Sequence, residues 1–473
     1  MNVSPRRSLF YRKQGTNIYR LFFLVVMILG GVWFLRLLQQ GQIKSPFQPT
    51  PTPTRTVESF VLEGDSHFTA GAMDAAILAY RQGTQLDPTN AEVWAKLARI
   101  QTYSSALLTT DEAQRARLQE ALESATRATE LAPDDSLAHA IRAFALDWNA
   151  NPLLVDAKQS QAYLIEAEQE ANRALLLDNT NTLALAFYAE ILVDQQKWAQ
   201  AEKNILQALE RDPSLMDVHR VYAYVLESLG QYNQAIQEYD RAISITPNLT
   251  FLYLRAGANY RRLAFGSPNP DSARALYEKS LEYFAQAARI NEQLGVKDPV
   301  PYLSIAKSYS QMGEFFIAAR NVQKALEFQP NNPDTYGQLG IIYFKSRNYE
   351  GSIPALKCAI RGCTAEESCD GRGGCGPNDT PAEVKGLPLS PNTVVYYYTY
   401  GSVLAALSRP QQNYCPEALE VLREVKAAYG SDPDIAGIVS SGEIICASLG
   451  EGGTPLATAT QGVMSEPTAT PSP

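Results

Sequence analysis

The chain has 473 residues, 45% of them hydrophobic, with 41 Lys or Arg against 50 Asp or Glu for a net charge of −9. That apolar share is too high for a disordered polymer, and the length is sufficient for several packed units. Residues 1–56 carry eight of the basic residues and no acidic one, so the remainder holds 33 basic against 50 acidic residues, a net of −17, which argues against a body that binds nucleic acid or anionic lipid through its overall charge.

The first stretch, residues 1–17, is a basic tail with Arg6, Arg7, Arg12 and Lys13. Residues 21–38 read LFFLVVMILGGVWFLRLL, and at about 1.5 Å per residue they make roughly 27 Å of helix, close to the thickness of a bilayer core. A single transmembrane helix over residues 18–40 is expected, with Tyr19 and Trp33 suited to the interfaces and Arg36 able to snorkel. No small-x-small cleavage site follows in RLLQQGQIKSP, so an uncleaved anchor is favoured over a signal peptide. Arg6, Arg7, Arg12, Lys13 and Arg20 lie before the apolar run that starts at Leu21, against Arg36, Lys44 and Arg55 at its far end and beyond, which predicts a cytoplasmic amino terminus and an extracytoplasmic main body. Residues 41–56 contain SPFQPTPTPTRT. From Lys44 to Thr56 such a stalk reaches on the order of 40 Å at about 3.1 Å per residue.

From Val57 onward the sequence has a period. Pro88, Pro133, Pro213, Pro247 and Pro330 follow helix-like segments, and Pro213 to Pro247 is a step of 34 residues. Within that step two amphipathic helices carry Tyr222, Ala223 and Leu226, then Ala235, Tyr239 and Ala242, with Gly230 between them. This arrangement resembles the tetratricopeptide repeat, with a bulky residue at position 4, Leu-Gly at 7 and 8, an aromatic at 11, Ala at 20 and 27, and Pro at 32. Repeats fit from Val57, Ala91, Ser136, Thr182, Met216, Thr250, Pro299, Pro333 and Val394. The second is read with its extra residues between the helices, and the sixth with a GSPNPDS insertion. Residues 57–433 are thus predicted to form an all-α solenoid of about nine helix pairs, capped by a terminal helix over residues 434–450. The Thr/Pro/Ala-rich residues 451–473 are expected to remain disordered.

The chain has three histidines. His67, His139 and His219 fall at repeat positions 11, 4 and 4, where the pattern calls for a packing aromatic, so a core role is expected for each. No phosphate-cradling loop, nucleophile elbow or metal-ligand helix pair is present, and DGRGG at Asp370 lacks the alternating oxygen ligands of a calcium loop. Neither catalysis nor a cofactor is expected.

Six cysteines lie between residues 358 and 446. Zinc and disulfides are both conceivable for Cys358, Cys363, Cys369 and Cys375; an extracytoplasmic location and an even count favour disulfides. Cys415 opens one helix and Cys446 ends the antiparallel helix after it, so these two are predicted to pair. The other four are expected to staple the 361–390 insertion locally, as Cys358–Cys363 with Cys369–Cys375 or in a crossed arrangement.

The family resemblance implies an interaction scaffold, with helix positions 2, 5, 9, 12 and 13 lining a concave face. In the fifth to eighth repeats these positions supply Arg220, Tyr224 and Glu227, then Phe251, Leu254, Arg261 and Arg262, then Leu303 and Lys307, then Ile341, Phe344 and Lys345. Basic residues interleaved with aromatics in an otherwise acidic body suggest a groove for an acidic, partly apolar protein or peptide segment. The Lys and Asn ligands of the chaperone-tail clamp are missing at positions 5 and 9, so a chaperone terminus is not the predicted partner. An accessory part of an envelope enzyme, or a metal or redox module at the cysteine loop, are the alternative roles.

Overall fold

The computed structural model describes residues 17–40, 55–108, 111–376 and 379–450. The predicted basic tail, nearly all of the Pro/Thr stalk and the terminal tail from residue 451 lie outside the described residues. The chain divides into two units, residues 1–55 and 56–473. In the first, α1 (Ile18–Gln39) is a 22-residue helix without an acidic residue in its first turn. Its stretch Ile18–Leu37 has a mean hydropathy of 2.2 and none of it is buried. It is long and apolar enough to cross a membrane.

The second unit is a stack of helix pairs. These are α2 (Val57–Thr69) with α3 (Met73–Leu86), α4 (Ala91–Ser105) with α5 (Asp111–Leu131), α6 (Ser136–Asn149) with α7 (Ala157–Leu177), and α8 (Thr182–Asp194) with α9 (Trp198–Arg211). Then come α10 (Met216–Ser228) with α11 (Tyr232–Ile245), α12 (Thr250–Phe265) with α13 (Pro270–Gln293), α14 (Val300–Gln311) with α15 (Phe315–Phe328), and α16 (Pro333–Lys345) with α17 (Tyr349–Ile360). A short α18 (Ala365–Gly371) precedes the ninth pair, α19 (Val394–Leu407) with α20 (Cys415–Tyr429), and α21 (Pro433–Gly450) closes the array. The fold is an all-α solenoid.

Local chemistry explains the pairs. Alanines at positions 20 and 27, such as Ala201 and Ala208, Ala235 and Ala242, and Ala318 and Ala325, are fully buried where the helices cross. At position 8 of the eighth repeat a Cβ on Gly340 would lie 2.5 Å from Leu356 Cγ, so only glycine admits the partner helix that closely. Asn90, Asp135, Asn181 and Asn332 cap the first helices of their repeats by accepting backbone N–H bonds. A further tie recurs with the period. The polar tip of the position-4 side chain meets the carbonyl of the proline six residues before it: Trp94 to Pro88 at 3.0 Å, His139 to Pro133 at 2.9 Å, His219 to Pro213 at 2.8 Å, Tyr253 to Pro247 at 2.8 Å and Tyr336 to Pro330 at 3.0 Å. Both buried histidines therefore serve as aromatics with a polar end, and their other ring nitrogens lie 2.5 and 2.7 Å from Glu170 and Glu238. His67 is half-exposed instead, 3.9 Å from Glu63.

Two boundaries differ from expectation. The extra length of the second repeat lies mainly within α5, 21 residues long against 14 for α9, and not in the connection. In the sixth, Asn269 caps α13 with Pro270 in its first turn, so the insertion starts a 24-residue helix. Pro at that position costs no hydrogen bond, which is why PNP can open a helix.

Candidate functional site

The inner-facing positions of the first six repeats do not border an open groove throughout. Tyr103 on α4 stacks on Phe68 of α2 at 6.2 Å and on Phe251 of α12 at 5.3 Å, and lies 5.1 Å from Phe144 of α6 between ring centroids. The curl of the array thus folds the second repeat against the fifth and sixth. Charges close the same contact. Asp217 on α10 accepts from Arg99 at 3.2 Å and from the Tyr103 hydroxyl. Arg220 on α10 donates two bonds to Glu190 of α8, at 2.7 and 2.6 Å, and a third to Tyr103 at 3.1 Å. Its guanidinium also lies over the rings of Tyr103, Phe144 and Trp148, at 5.3 to 5.9 Å from their centroids.

Arg220 and Phe251 are each only 5% exposed, so the expectation that they line an accessible groove is corrected. The reason is long-range: helices far apart in sequence meet once the array has curled, and aromatic and charged inner residues bury one another. Sequence reasoning also passed over Arg99, Tyr103, Asp147, Glu190, Asp194 and Asp217. The first five occupy inner positions of repeats two to four, which extending the same position count would have found, and Asp217 is position 2 of the fifth repeat, passed over within the count itself.

The other expected residues lie further along. Tyr224 is half-buried and donates to Asp194 at 2.5 Å. Glu227 is buried beneath Arg255 at 3.0 Å, Asn259 at 2.9 Å and Arg262. Burial by itself would raise the Glu227 carboxyl, but Arg255 and Arg262 hold it below its ordinary range. Next to this cluster the charge turns positive. Arg261 reaches the Ser304 carbonyl at 3.3 Å and lies 5.3 Å from the Phe284 ring centroid. Burial, then the neighbouring Arg262, lowers its guanidinium to about 10. Lys307 is exposed, yet its amine is also lowered, by desolvation and by the positive charge of Arg261 and Arg262. Arg262 has a carboxylate partner; among the described residues Arg261 and Lys307 have none within ion-pair distance. Leu254, Leu303, Ile341 and Phe344 are half-buried and Lys345 is exposed. Arg261 and Lys307 are thus the expected residues that come together with unspent charge, beside the paired Arg262.

The cysteines are joined as Cys358–Cys363, Cys369–Cys375 and Cys415–Cys446, with S–S distances of 2.07, 2.00 and 2.04 Å. The insertion stapled by the first two is packed onto the seventh and eighth repeats. Arg372 is buried and donates to Tyr336 at 2.9 Å, while Gln323 donates to the Arg372 carbonyl at 2.6 Å. Cys363 and Val384 form an antiparallel bridge. Among the described residues no group of three or more His, Cys, Asp or Glu is placed to hold a metal ion.

Comparison with known proteins agrees with this architecture. The tetratricopeptide repeat family model matches residues 188–250, from α8 to the start of α12, so repeats of this type are present in the chain. No curated protein matches it. Among solved structures, a monomeric mutant of IFIT1 bound to m7Gppp-AAAA is similar over 84% of this chain and 82% of its own, with a TM-score of 0.52 and 14% identity. A human IFIT1 dimer with PPP-AAAA covers 85% of this chain and 89% of its own at a TM-score of 0.46 and 14% identity. A thermophilic tetratricopeptide protein of Thermus thermophilus covers 43% of this chain and 98% of its own, with a TM-score of 0.36 and 17% identity. At 14% identity the likeness to the IFIT1 mutant is one of fold alone.

Proposed function

We propose that the chain is a membrane-tethered scaffold, held by α1, whose extracytoplasmic array captures an acidic, partly apolar protein or peptide segment on its inner face at Arg261, Arg262 and Lys307. The observation that carries this reading is the unspent positive charge of Arg261 and Lys307 beside Arg262: neither has a carboxylate within ion-pair distance among the described residues, and desolvation, then the neighbouring cations, makes both less basic than usual, while the inner cations Arg99, Arg220, Arg255 and Arg262 are paired with carboxylates. An incoming carboxylate would relieve that repulsion, and the half-buried Leu254, Leu303 and Phe344 offer apolar contact beside it. Protein binding is the role that tetratricopeptide arrays support. The three disulfides favour an oxidising compartment, in keeping with an anchor whose amino terminus stays inside. The nucleotides held by IFIT1 are not carried over, because this array has 33 basic against 50 acidic residues beyond the first 56.

The test uses the full chain in detergent. Arg261→Glu, Arg262→Glu and Lys307→Glu are combined, and proteins captured from membranes of the source cells are compared with those captured by the parent at low and moderate salt. Loss of a partner whose capture by the parent weakens with salt is expected. An unchanged partner set from a folded variant would place binding elsewhere, with the 361–390 loop examined next.

A further inference from the structure

One inner carboxylate differs from all its neighbours. Asp147, near the end of α6, is 2% exposed, and neither of its oxygens has a hydrogen-bond partner. Its fellow buried acids on the inner face are satisfied: Asp217 by Arg99 and Tyr103, Glu190 by Arg220 and Trp148, Glu227 by Arg255 and Asn259. A buried carboxylate without a partner is expensive, and simple packing would favour an uncharged residue there. The surroundings make the negative charge more costly still. Asp147 lies in the last turn of α6, and Asp194, the acid that acts on it most strongly, is the last residue of α8, so both sit where helix carbonyl ends add negative potential.

The charged and titratable groups around the pair are Glu190 on α8, Arg220 and Tyr224 on α10, and Arg255 on α12. Neither arginine is free to neutralise it. Arg220 is bound at both ends of its fork to Glu190, and Arg255 is bound to Glu227. Asp194 is exposed and accepts from Tyr224, whereas Asp147 is buried. Burial, then the charges of Asp194 and Glu190, push the Asp147 carboxyl well above its usual range, and desolvation of its oxygens with the charge of Glu190 raises Asp194 to about 7. The pair thus holds a proton that a better cation could displace.

We propose that Asp147 and Asp194 form a subsite for the cationic side chain of a lysine or arginine in the captured segment. The inference rests on the reading of the inner face as a capture surface and adds the chemistry of its second subsite. An alkylammonium or guanidinium group supplies the donors that the Asp147 oxygens lack and enters where two helix ends favour positive charge. With the basic cluster at Arg261, Arg262 and Lys307 on the same face, the array selects a segment that carries both signs.

Full-length protein in detergent is titrated calorimetrically with acetyl-Gly-Lys-Gly-amide, its arginine counterpart and its Nε-acetyl-lysine counterpart, and separately with spermidine and calcium chloride. Binding of the lysine or arginine peptide, with heat that depends on the ionisation enthalpy of the buffer because a proton leaves, is expected. The acetylated peptide should not bind. Asp147→Asn with Asp194→Asn should weaken binding at least tenfold, whereas Asp74→Asn, at an exposed acid, should not. Equal binding by the acetylated peptide, an unaffected double variant, saturation by spermidine or calcium alone, or no binding at millimolar peptide each overturns the subsite. Should it fail while the charge reversal at Arg261, Arg262 and Lys307 still releases a captured partner, only the cation subsite is lost.

Discussion

Replacing Arg220 by alanine separates a closed inner face from an open one. In an open groove Arg220 would be a solvated side chain, and its loss would cost less than about 1 kcal/mol. Here it is 5% exposed, it makes two bonds of 2.7 and 2.6 Å to Glu190, and it donates to Tyr103 at 3.1 Å. Truncation leaves Glu190 buried and unpaired, and breaking a buried pair from one side costs about 3–5 kcal/mol. Replacing both partners with apolar residues of similar volume, Arg220→Met with Glu190→Leu, should recover most of that loss, because no buried charge is then left alone. Equilibrium urea unfolding of the full chain in detergent gives the size, and amide exchange gives the place. Protection should fall in α4 as well as in α8 and α10, since the lost bond to Tyr103 joins repeats that are 117 residues apart. A destabilisation below about 1 kcal/mol, the surface value, or a loss confined to α10, would refute the closure.

Asp147→Asn should stabilise the protein at about pH 8 by roughly 1–3 kcal/mol, because it removes a buried charge without a partner. The sign follows from the raised carboxyl: the native state keeps protons that the unfolded chain has released, so parental stability falls as pH rises from the ordinary value near 4 to the raised one. The advantage of the variant should therefore vanish near pH 4, and thermal melts showing the same advantage at both pH values would contradict it. The Cys415–Cys446 bond closes a 31-residue separation, for which chain entropy gives roughly 3–4 kcal/mol. Replacing both cysteines with alanine should make α20 and α21 exchange before α2 and α3, and simultaneous melting of both ends would tell against this. Alkylation of denatured, unreduced protein should label no thiol among the six cysteines, all of which are bonded; six labelled thiols would refute the pairing. Gly71 has φ +79° and a Cβ there would collide with the Asn248 carbonyl, so Gly71→Ala should destabilise the contact between the α2–α3 and α11–α12 turns, visible as lost protection in both.

The helix pairs are legible in the sequence because what defines them is local. Ala201, Ala208, Ala235 and Ala242 recur at fixed spacing since each sits where two adjacent helices touch, and any sequence that builds one such crossing must repeat it. Pro213 and Pro247 announce the turns for the same reason, with His219 and Tyr253 bonded back to them. Helix lengths are less legible: α5 and α13 absorb residues that look like connections, because Asp111 and Pro270 open helices as readily as they end them. The inner face is the least legible part. Whether Arg220 meets solvent or Tyr103 depends on the accumulated curl of several repeats, and no single repeat encodes that curl. Arg261 and Lys307 kept unspent charge because α12 and α14 carry no acid, whereas Arg262 met Glu227 of α10 and Arg99 met Asp217 from 118 residues away.

The claim that most needs testing is that the inner face at α12 and α14 holds a protein segment. A photo-crosslinking amino acid placed at Lys307 in the full chain, with the same group at the exposed Arg274 of α13 as a control, reads this directly in intact cells after irradiation. A protein adduct at Lys307 that is absent at Arg274, and that disappears when Arg261 and Arg262 are changed to glutamate, is the expected result. Adducts of the same partner at both positions, or none at Lys307 while the 361–390 loop crosslinks, would contradict it.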